Sequence, residues 1–210
     1  MKKLNQFIII TSLFFFQFII AQTQKEFTNI DEALKDPEKV FRLNLSNQNL
    51  NVNPNVWAKF INLEYLNLSN DHLIIIPNEI SLLKNLKTLD LSGNDFEMLP
   101  KDFVKLSNLN DLFLNDEKNM KIEKNIAILS KLPSLKTLHL ENDNISNLPN
   151  NFNKIKSLEQ LYLNHNKLKN VPKQLKGLDH LQYLDLNDNQ IQPIIIIQDV
   201  NLNFGFKIHF

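Results

Sequence analysis

Very few residues of this chain have the type and spacing that catalysis requires. The sequence contains no cysteine, only three glycines, no glycine-rich phosphate loop, no GxSxG turn and no HExxH pair among its five histidines. His139, Glu141 and His165 are the group that comes nearest to a metal site. Such a site needs three or four converging ligands, and chance placement on a surface is the simpler explanation. The sequence therefore predicts no catalytic residue, no metal site and no cofactor.

Composition excludes some kinds of partner. The 210 residues are 43% apolar, enough for a single domain with a real core, and 23 basic side chains balance 23 acidic ones. A nucleic-acid-binding surface needs a surplus of lysine and arginine on one face. Nucleic acid is therefore not an expected partner.

A repeat must position whatever binding residues the chain has. Residues 86–100 read LKTLDLSGNDFEMLP, and residues 135–149 read LKTLHLENDNISNLP. If the first leucine is position 1, apolar residues recur at positions 1, 4, 6 and 11, with a polar residue at position 9. Seven copies begin at residues 40, 63, 86, 109, 135, 158 and 181, each 23 residues after the last except for one step of 26. A period of this length indicates a solenoid.

The pattern resembles the leucine-rich repeat family and its 23-residue subclass. The family motif LxxLxLxxNxL is matched by LKTLDLSGNDF (86–96), LEQLYLNHNKL (158–168) and LQYLDLNDNQI (181–191). The subclass tail LPxxLxxL appears as LPKDFVKL (99–106), LPNNFNKI (148–155) and VPKQLKGL (171–178). The resemblance covers residue 40 to about 191. It implies an α/β solenoid, a curved right-handed superhelix with a concave parallel β-sheet and convex 3-10 or short-helix turns.

Side-chain alternation gives the same architecture independently of the family. Positions 3 to 5 alternate as in a short strand, so Leu89 and Leu91 should point inward and Thr88 and Asp90 outward. One repeat buries too few apolar side chains to offset the conformational entropy of its 23 residues. Stacking lets each repeat cover its neighbours.

Position 9 ends each strand and predicts a ladder of side-chain amides. Asn94, Asn166 and Asn189 can each donate and accept, which satisfies backbone groups left unpaired by the bend. Asp71 and Asp143 only accept when ionised, and the amide of Gln48 is one methylene too far out. A row of ordinary polar turn residues is the alternative.

On the convex side, proline at position 15 excludes a second paired strand. These prolines are Pro54, Pro77, Pro100, Pro149 and Pro172. Apolar residues at positions 18 and 21, such as Phe103 and Leu106, have the spacing of a 3-10 turn closing over the core. Repeat four lacks the proline and has three inserted residues. Its segment 121–132 places apolar residues at helical spacing, which predicts an α-helix.

The N-terminal residues 1–21 have the pattern of a secretory signal peptide. Lys2 and Lys3 precede an apolar stretch of fourteen residues, 7–20, and Ala21 offers a small residue at the cleavage point. The stretch is shorter than the roughly 20 residues of a membrane-spanning helix. Its start and its IIAQ ending resemble export signals of Bacteroidetes bacteria. The membrane is an expected partner only through this signal peptide, before cleavage.

Both ends of the seven repeats, 40–193, need covers. Residues 22–39 are expected to form an N-terminal cap with a short helix, begun by Thr28 or Asn29, whose Ile30 and Ala33 lie on the first repeat. Residues 194–210 are expected to form a C-terminal cap. There the alternation of apolar residues from Leu202 to Phe210 suits a strand.

Outward positions 3 and 5 form two columns across the concave sheet. Four rings gather on one half of it: Phe113, His139, Tyr162 and Tyr183. Clustered exposed aromatics are typical anchors of a recognition surface. The alternative is that aromatic residues simply suit strands. Phe113 is hard to explain that way, because its column is mostly polar.

The sequence thus predicts a non-catalytic, secreted or extracytoplasmic module that binds a protein or peptide on its concave face. Seven strands about 4.8 Å apart span roughly 29 Å, enough for a standard protein interface. A surface adhesin or structural component that recognises glycan or host matrix is the alternative. An intracellular leucine-rich repeat scaffold is expected if residues 1–21 are not a signal peptide.

Overall fold

One parallel β-sheet runs the length of the molecule. The computed structural model describes residues 25–117, 119–192 and 207–210. Within them, nine strands pair in sequence order, all parallel. The strands are β1 Glu26–Phe27, β2 Arg42–Asn44, β3 Tyr65–Asn67, β4 Thr88–Asp90, β5 Asp111–Phe113, β6 Thr137–His139, β7 Gln160–Tyr162, β8 Tyr183–Asp185 and β9 Lys207–His209. Equivalent repeat positions lie side by side, as in the row Leu66, Leu89 and Leu112. The fold is the α/β solenoid that the repeat predicts.

Short 3-10 helices form the side opposite the sheet. They span Pro37–Lys39, Pro54–Lys59, Asn78–Leu82, Lys101–Lys105, Phe152–Lys154 and Lys173–Leu175. Pro77, Pro100 and Pro172 each stand immediately before one of them. Phe103 and Leu106 are fully buried, so the predicted 3-10 closure over the core is confirmed.

The core is a single apolar interior between the sheet and the 3-10 turns. Leu89 and Leu91 are completely buried, whereas Thr88 and Asp90 are partly exposed. The inward and outward assignments made from alternation are therefore correct. Fully buried aromatic side chains, including Trp57 and Phe152, fill the space between the leucine rows and the turns.

The predicted amide ladder is present. The Oδ1 of Asn94 accepts the backbone N–H groups of Asp71 (3.1 Å) and Leu73 (3.0 Å), and its Nδ2 donates to the carbonyls of Leu68 (2.9 Å) and Leu91 (2.6 Å). Asn166 makes the equivalent four bonds three repeats further along the chain. Because each amide bonds the preceding repeat as well as its own, these residues do more than mark a turn.

In each of the seven repeats, the residue just before the ladder position has a left-handed backbone conformation. The residues at position 8 have φ between 53° and 67° and are Asn47, Asn70, Gly93, Asp116, Asn142, His165 and Asp188. Glycine, asparagine and aspartate tolerate this region best. The repeated bend therefore explains residue types that the leucine pattern leaves free.

The two ends of the sheet are covered by different elements. Helix α1, Ile30–Ala33, begins after Asn29, whose side chain accepts the N–H of Glu32 at 2.9 Å, and Ala33 is buried. At the other end, β9 pairs with β8 and Ile208 packs against the core. The predicted signal peptide and the alternating residues 202–206 lie outside the described residues. None of the described helices is long and apolar enough to cross a membrane.

The insertion in repeat four forms helix α2, Ile122–Leu129, as its spacing predicts. Ile126 and Leu129 are fully buried in the common core. Asn125 is also buried; its Oδ1 accepts the N–H of Leu99 (2.8 Å), and its Nδ2 donates to the carbonyls of Glu97 (3.1 Å) and Lys121 (3.0 Å). The insertion is therefore bonded into the preceding repeat.

Candidate binding surface

The four rings predicted from the sequence lie in one continuous row on the concave sheet. Ring centroids are 3.9 Å apart between Phe113 and His139, 4.3 Å between His139 and Tyr162, and 5.2 Å between Tyr162 and Tyr183. His209 on β9 continues the row, 5.0 Å from Tyr183. Its place could not be read from the repeat, because residues 194–210 depart from the repeat pattern. We call these five residues the aromatic stripe.

Three rings of the stripe stack face to face on one another. The planes of Phe113 and His139 differ by 12°, and those of His139 and Tyr162 by 6°, so these three rings are stacked. The inner faces are therefore covered, and the ring edges face the solvent. On the side toward β4, the residue paired with Phe113 is Asp90, so the row of rings ends at Phe113.

The local fold does not require rings at these positions. In four other repeats, position 5 is Asn or Asp, whose side-chain oxygen accepts the N–H of position 7, as in the bond from Ser69 to Asn67 (2.8 Å) and from Ser92 to Asp90 (3.0 Å). Phe113, His139 and Tyr162 cannot form that bond. The fourth, fifth and sixth repeats thus have a ring where four other repeats have a turn-stabilising side chain. This weakens the view that these aromatic residues merely suit strands.

His139 is held in place within the stack. Its Nδ1 lies 2.9 Å from Oε1 of Glu141, and the two side chains are only 15% and 20% exposed. His165 lies instead beside Asp188, with its Nε2 3.3 Å from Oδ2. The described residues contain no group of three or more histidine, aspartate or glutamate side chains that could hold a metal ion.

The stripe has a negative charge balance. From β4 to β8, the outward residues at positions 3, 5 and 7 include no lysine or arginine, and on β9 one lysine, Lys207, lies beside Tyr183. They do include four carboxylates: Asp90, Asp111, Glu141 and Asp185. Burial, and then the nearby carboxylates of Glu141, Asp185 and Asp111, raise the pKa of Tyr162. Burial followed by Asp185 does the same to the pKa of Tyr183.

Carboxyl groups also occupy the ladder, and sequence reasoning missed their consequence. Burial, with a smaller contribution from neighbouring carboxylates, raises the pKa of Glu117 to about 9 and that of Asp143 to about 8. Glu117 accepts the N–H of Asn94 through Oε1 (3.0 Å), while its Oε2 is buried without a partner. A protonated carboxyl has the donor and acceptor of the amide it replaces. The signal in the sequence is an acid at position 9.

Comparison with known families agrees with the repeat geometry. Residues 38–127 match the model of a leucine-rich repeat region, and residues 127–191 match a second leucine-rich repeat model. The chain belongs to the leucine-rich repeat family. Members of this family generally serve as protein-interaction modules. A comparison with curated proteins gives no match.

Solved leucine-rich repeat structures share the fold. The leucine-rich repeat protein LIC12759 of Leptospira interrogans is 29% identical, over 88% of this chain and 58% of its own, with a TM-score of 0.57. The internalin InlF of Listeria monocytogenes is 20% identical over 81% of this chain and 46% of its own, with a TM-score of 0.56. A chain of the Toll–Spatzle complex of Drosophila is 18% identical over 78% of this chain and 22% of its own, with a TM-score of 0.66. This leucine-rich repeat chain thus spans less than two thirds of each of these relatives.

A second exposed feature of the leucine-rich repeat solenoid lies outside the sheet. Ile74 and Ile75 are 74% and 80% exposed, and with Met98 they border an open groove of about 880 Å³. Sequence reasoning missed it, although the run LIIIP at 73–77 was visible. Leu73 and Ile76 of the same run pack against or within the core.

Proposed function

We propose that this chain is a non-catalytic, extracytoplasmic binding module that captures a protein or peptide on the aromatic stripe. The observation that carries the proposal is the stack of Phe113, His139 and Tyr162 on three adjacent strands. Rings that replace turn-stabilising Asn or Asp side chains, and that remain partly exposed, need another reason to be present. Aromatic side chains commonly dominate the binding energy of protein interfaces.

The stacking geometry favours a polypeptide over a glycan. Sugar recognition by aromatic residues uses the open face of a ring, and here the faces of His139 are covered on both sides. The exposed ring edges carry the positive part of the aromatic quadrupole. Backbone carbonyls and apolar side chains of an extended peptide suit such edges.

The extracytoplasmic location rests on the pattern of residues 1–21. If the protein is exported, mass spectrometry of the secreted form should find Gln22 as the first residue. A mature protein that begins at Met1 would refute this part of the proposal. It would then favour the intracellular scaffold.

A double substitution tests the binding surface. Phe113→Ala with Tyr162→Ala removes two members of the stack but no fully buried side chain, so thermal stability should change little. Capture of crosslinked partners from envelope and culture fractions should fall by about tenfold or more, as expected for interface hot spots. Tyr65→Ala is the matched control, because Tyr65 is another concave aromatic residue, outside the stripe.

Capture that is equal in the wild type and the double variant would refute the proposed site. A glycan array run with the same proteins tests the alternative. Glycan binding that depends on Phe113 and Tyr162, without any captured protein, would replace the polypeptide proposal with the adhesin.

A further inference from the structure

We propose that the polypeptide bound by the aromatic stripe is basic, and that it places an arginine guanidinium on the face of Phe113 that His139 does not cover, beside Asp90 and Asp111. This inference rests on the proposed function and adds the chemistry of the partner. The concave face of the sheet would then bind positively charged, extended segments selectively.

The row of rings ends at Phe113, on the side of β4. His139 covers one face of Phe113 at a centroid distance of 3.9 Å. On the other side the residue paired with Phe113 is Asp90, which is smaller, and whose Oδ1 already accepts the N–H of Ser92. A planar group above Asp90 would therefore continue the row at about the same spacing. A guanidinium is planar and stacks on aromatic rings.

The same concave face already contains this arrangement once. The guanidinium carbon of Arg42 on β2 lies 3.9 Å from the ring centroid of Tyr65 on β3, and its Nη2 lies 2.9 Å from Oε2 of Glu26 on β1. A ring, a guanidinium and a carboxylate thus occupy three successive strands. Phe113 and Asp90 supply a ring and a carboxylate on adjacent strands, so a partner's guanidinium would lie above Asp90 and not on a strand between the two.

Charge complementarity points to the same partner. Among the described residues, no lysine or arginine lies within ion-pair distance of Asp90, Asp111 or Asp185. Asp111 is held only by a long contact from the Thr88 hydroxyl to its Oδ2, 3.4 Å. Burial is the main reason that the pKa values of Tyr162 and Tyr183 are raised, and the nearby carboxylates add to it. A basic segment would neutralise this charge, whereas an acidic one would be repelled.

A peptide selection tests the inference against the proposed function. The purified wild-type protein serves as bait for a phage-displayed library of random dodecapeptides, counter-selected on the Phe113→Ala, Tyr162→Ala variant. The selected peptides should be enriched in arginine. Enrichment of peptides without basic residues would overturn the basic-partner inference and leave the proposed function standing. If the selection yields no peptide whose binding depends on the stripe, both the basic-partner inference and the proposed function are overturned.

Direct binding then locates the guanidinium. The selected peptide and a copy with citrulline in place of each arginine are compared by fluorescence anisotropy. Citrulline keeps the shape and removes the charge, and it should weaken binding by about tenfold. Asp90→Asn with Asp111→Asn should have a similar effect. The fold tolerates this change, since Asn44 and Asn67 make the local bond of Asp90 with amides.

A matched variant controls for overall charge. Glu123→Gln with Asp179→Asn removes two exposed carboxylates that are not in the sheet and should leave the affinity unchanged. Equal binding of the arginine and citrulline peptides would contradict the inference. Equal losses in both double variants would contradict it as well, because they would show only nonspecific charge attraction.

Discussion

Replacing Glu117 by glutamine should make the protein more stable at alkaline pH. Glutamine keeps the length of the side chain, and its Oε1 can still accept the N–H of Asn94, bonded at 3.0 Å in the wild type. Its amide supplies a permanent donor where Oε2 of the glutamate is buried without a partner. Glu117→Gln therefore retains the hydrogen bond with Asn94. The side chain of residue 117 is then neutral at every pH, without having to bind a proton.

The sign and size follow from the pKa of Glu117, which burial raises from the ordinary 4.5 to about 9. Between those values the folded state holds a proton that the unfolded state has lost. The free energy of unfolding must therefore fall as pH rises, by about 1.4 kcal/mol per pH unit for one such group. From about pH 5 to about pH 8 the wild type would lose about 4 kcal/mol through this residue. Relaxation and water entry around the ionised group reduce the loss, so we expect Glu117→Gln to gain about 2 kcal/mol or more at the higher pH.

Urea denaturation followed by circular dichroism at both pH values measures this difference. The wild type and Glu117→Gln should have similar stability at the lower pH and diverge at the higher one. Asp143, whose pKa is raised to about 8, contributes in the same direction, so some pH dependence should remain unless Asp143→Asn is added. Asp188→Asn, which alters an exposed carboxylate at a left-handed position, is the matched control. If Glu117→Gln loses as much stability as the wild type between the two pH values, the buried, protonated carboxyl is refuted.

Three further substitutions test the packing. Leu138→Ala should lower the free energy of unfolding by about 2–5 kcal/mol, because Leu138 is fully buried. Thr137→Ala, on the outward side of the same strand, should lower it far less. Equally small losses for the two variants in urea melts would place both side chains outside the core. Gly93→Ala should cost about 1–2 kcal/mol, because φ is +67° and the new Cβ would lie 2.1 Å from Oδ1 of Asn70. The additional change Asn70→Gly, which suits the left-handed φ of Asn70, should relieve only the steric part, and full recovery would show that the dihedral of residue 93 carries no strain. Asn125→Ala should cost about 1–3 kcal/mol, mainly by leaving the buried N–H of Leu99 without a partner, and a thermal melt unchanged from wild type would mean that this group reaches water.

Some of the binding surface was accessible from the sequence because repeat position fixes strand register. Once Phe113 and Tyr162 are both at position 5, parallel pairing must place them in one column, on either side of His139. Helix α2 was similarly predictable, since the apolar spacing of its segment differs from that of the other repeats. His209 was not, because it lies beyond the last recognisable repeat and its contact with Tyr183 depends on how the chain returns to the sheet.

By itself, the sequence determined the solenoid, its inward leucines and the position of the ring column, because a fixed period allows only one way to stack equivalent residues. Only the tertiary structure decided that Phe113, His139 and Tyr162 stack face to face, that the row continues to His209 and that Glu117 has no partner for its second oxygen. These properties depend on rotamers and on the separation between adjacent repeats, and a leucine pattern constrains neither.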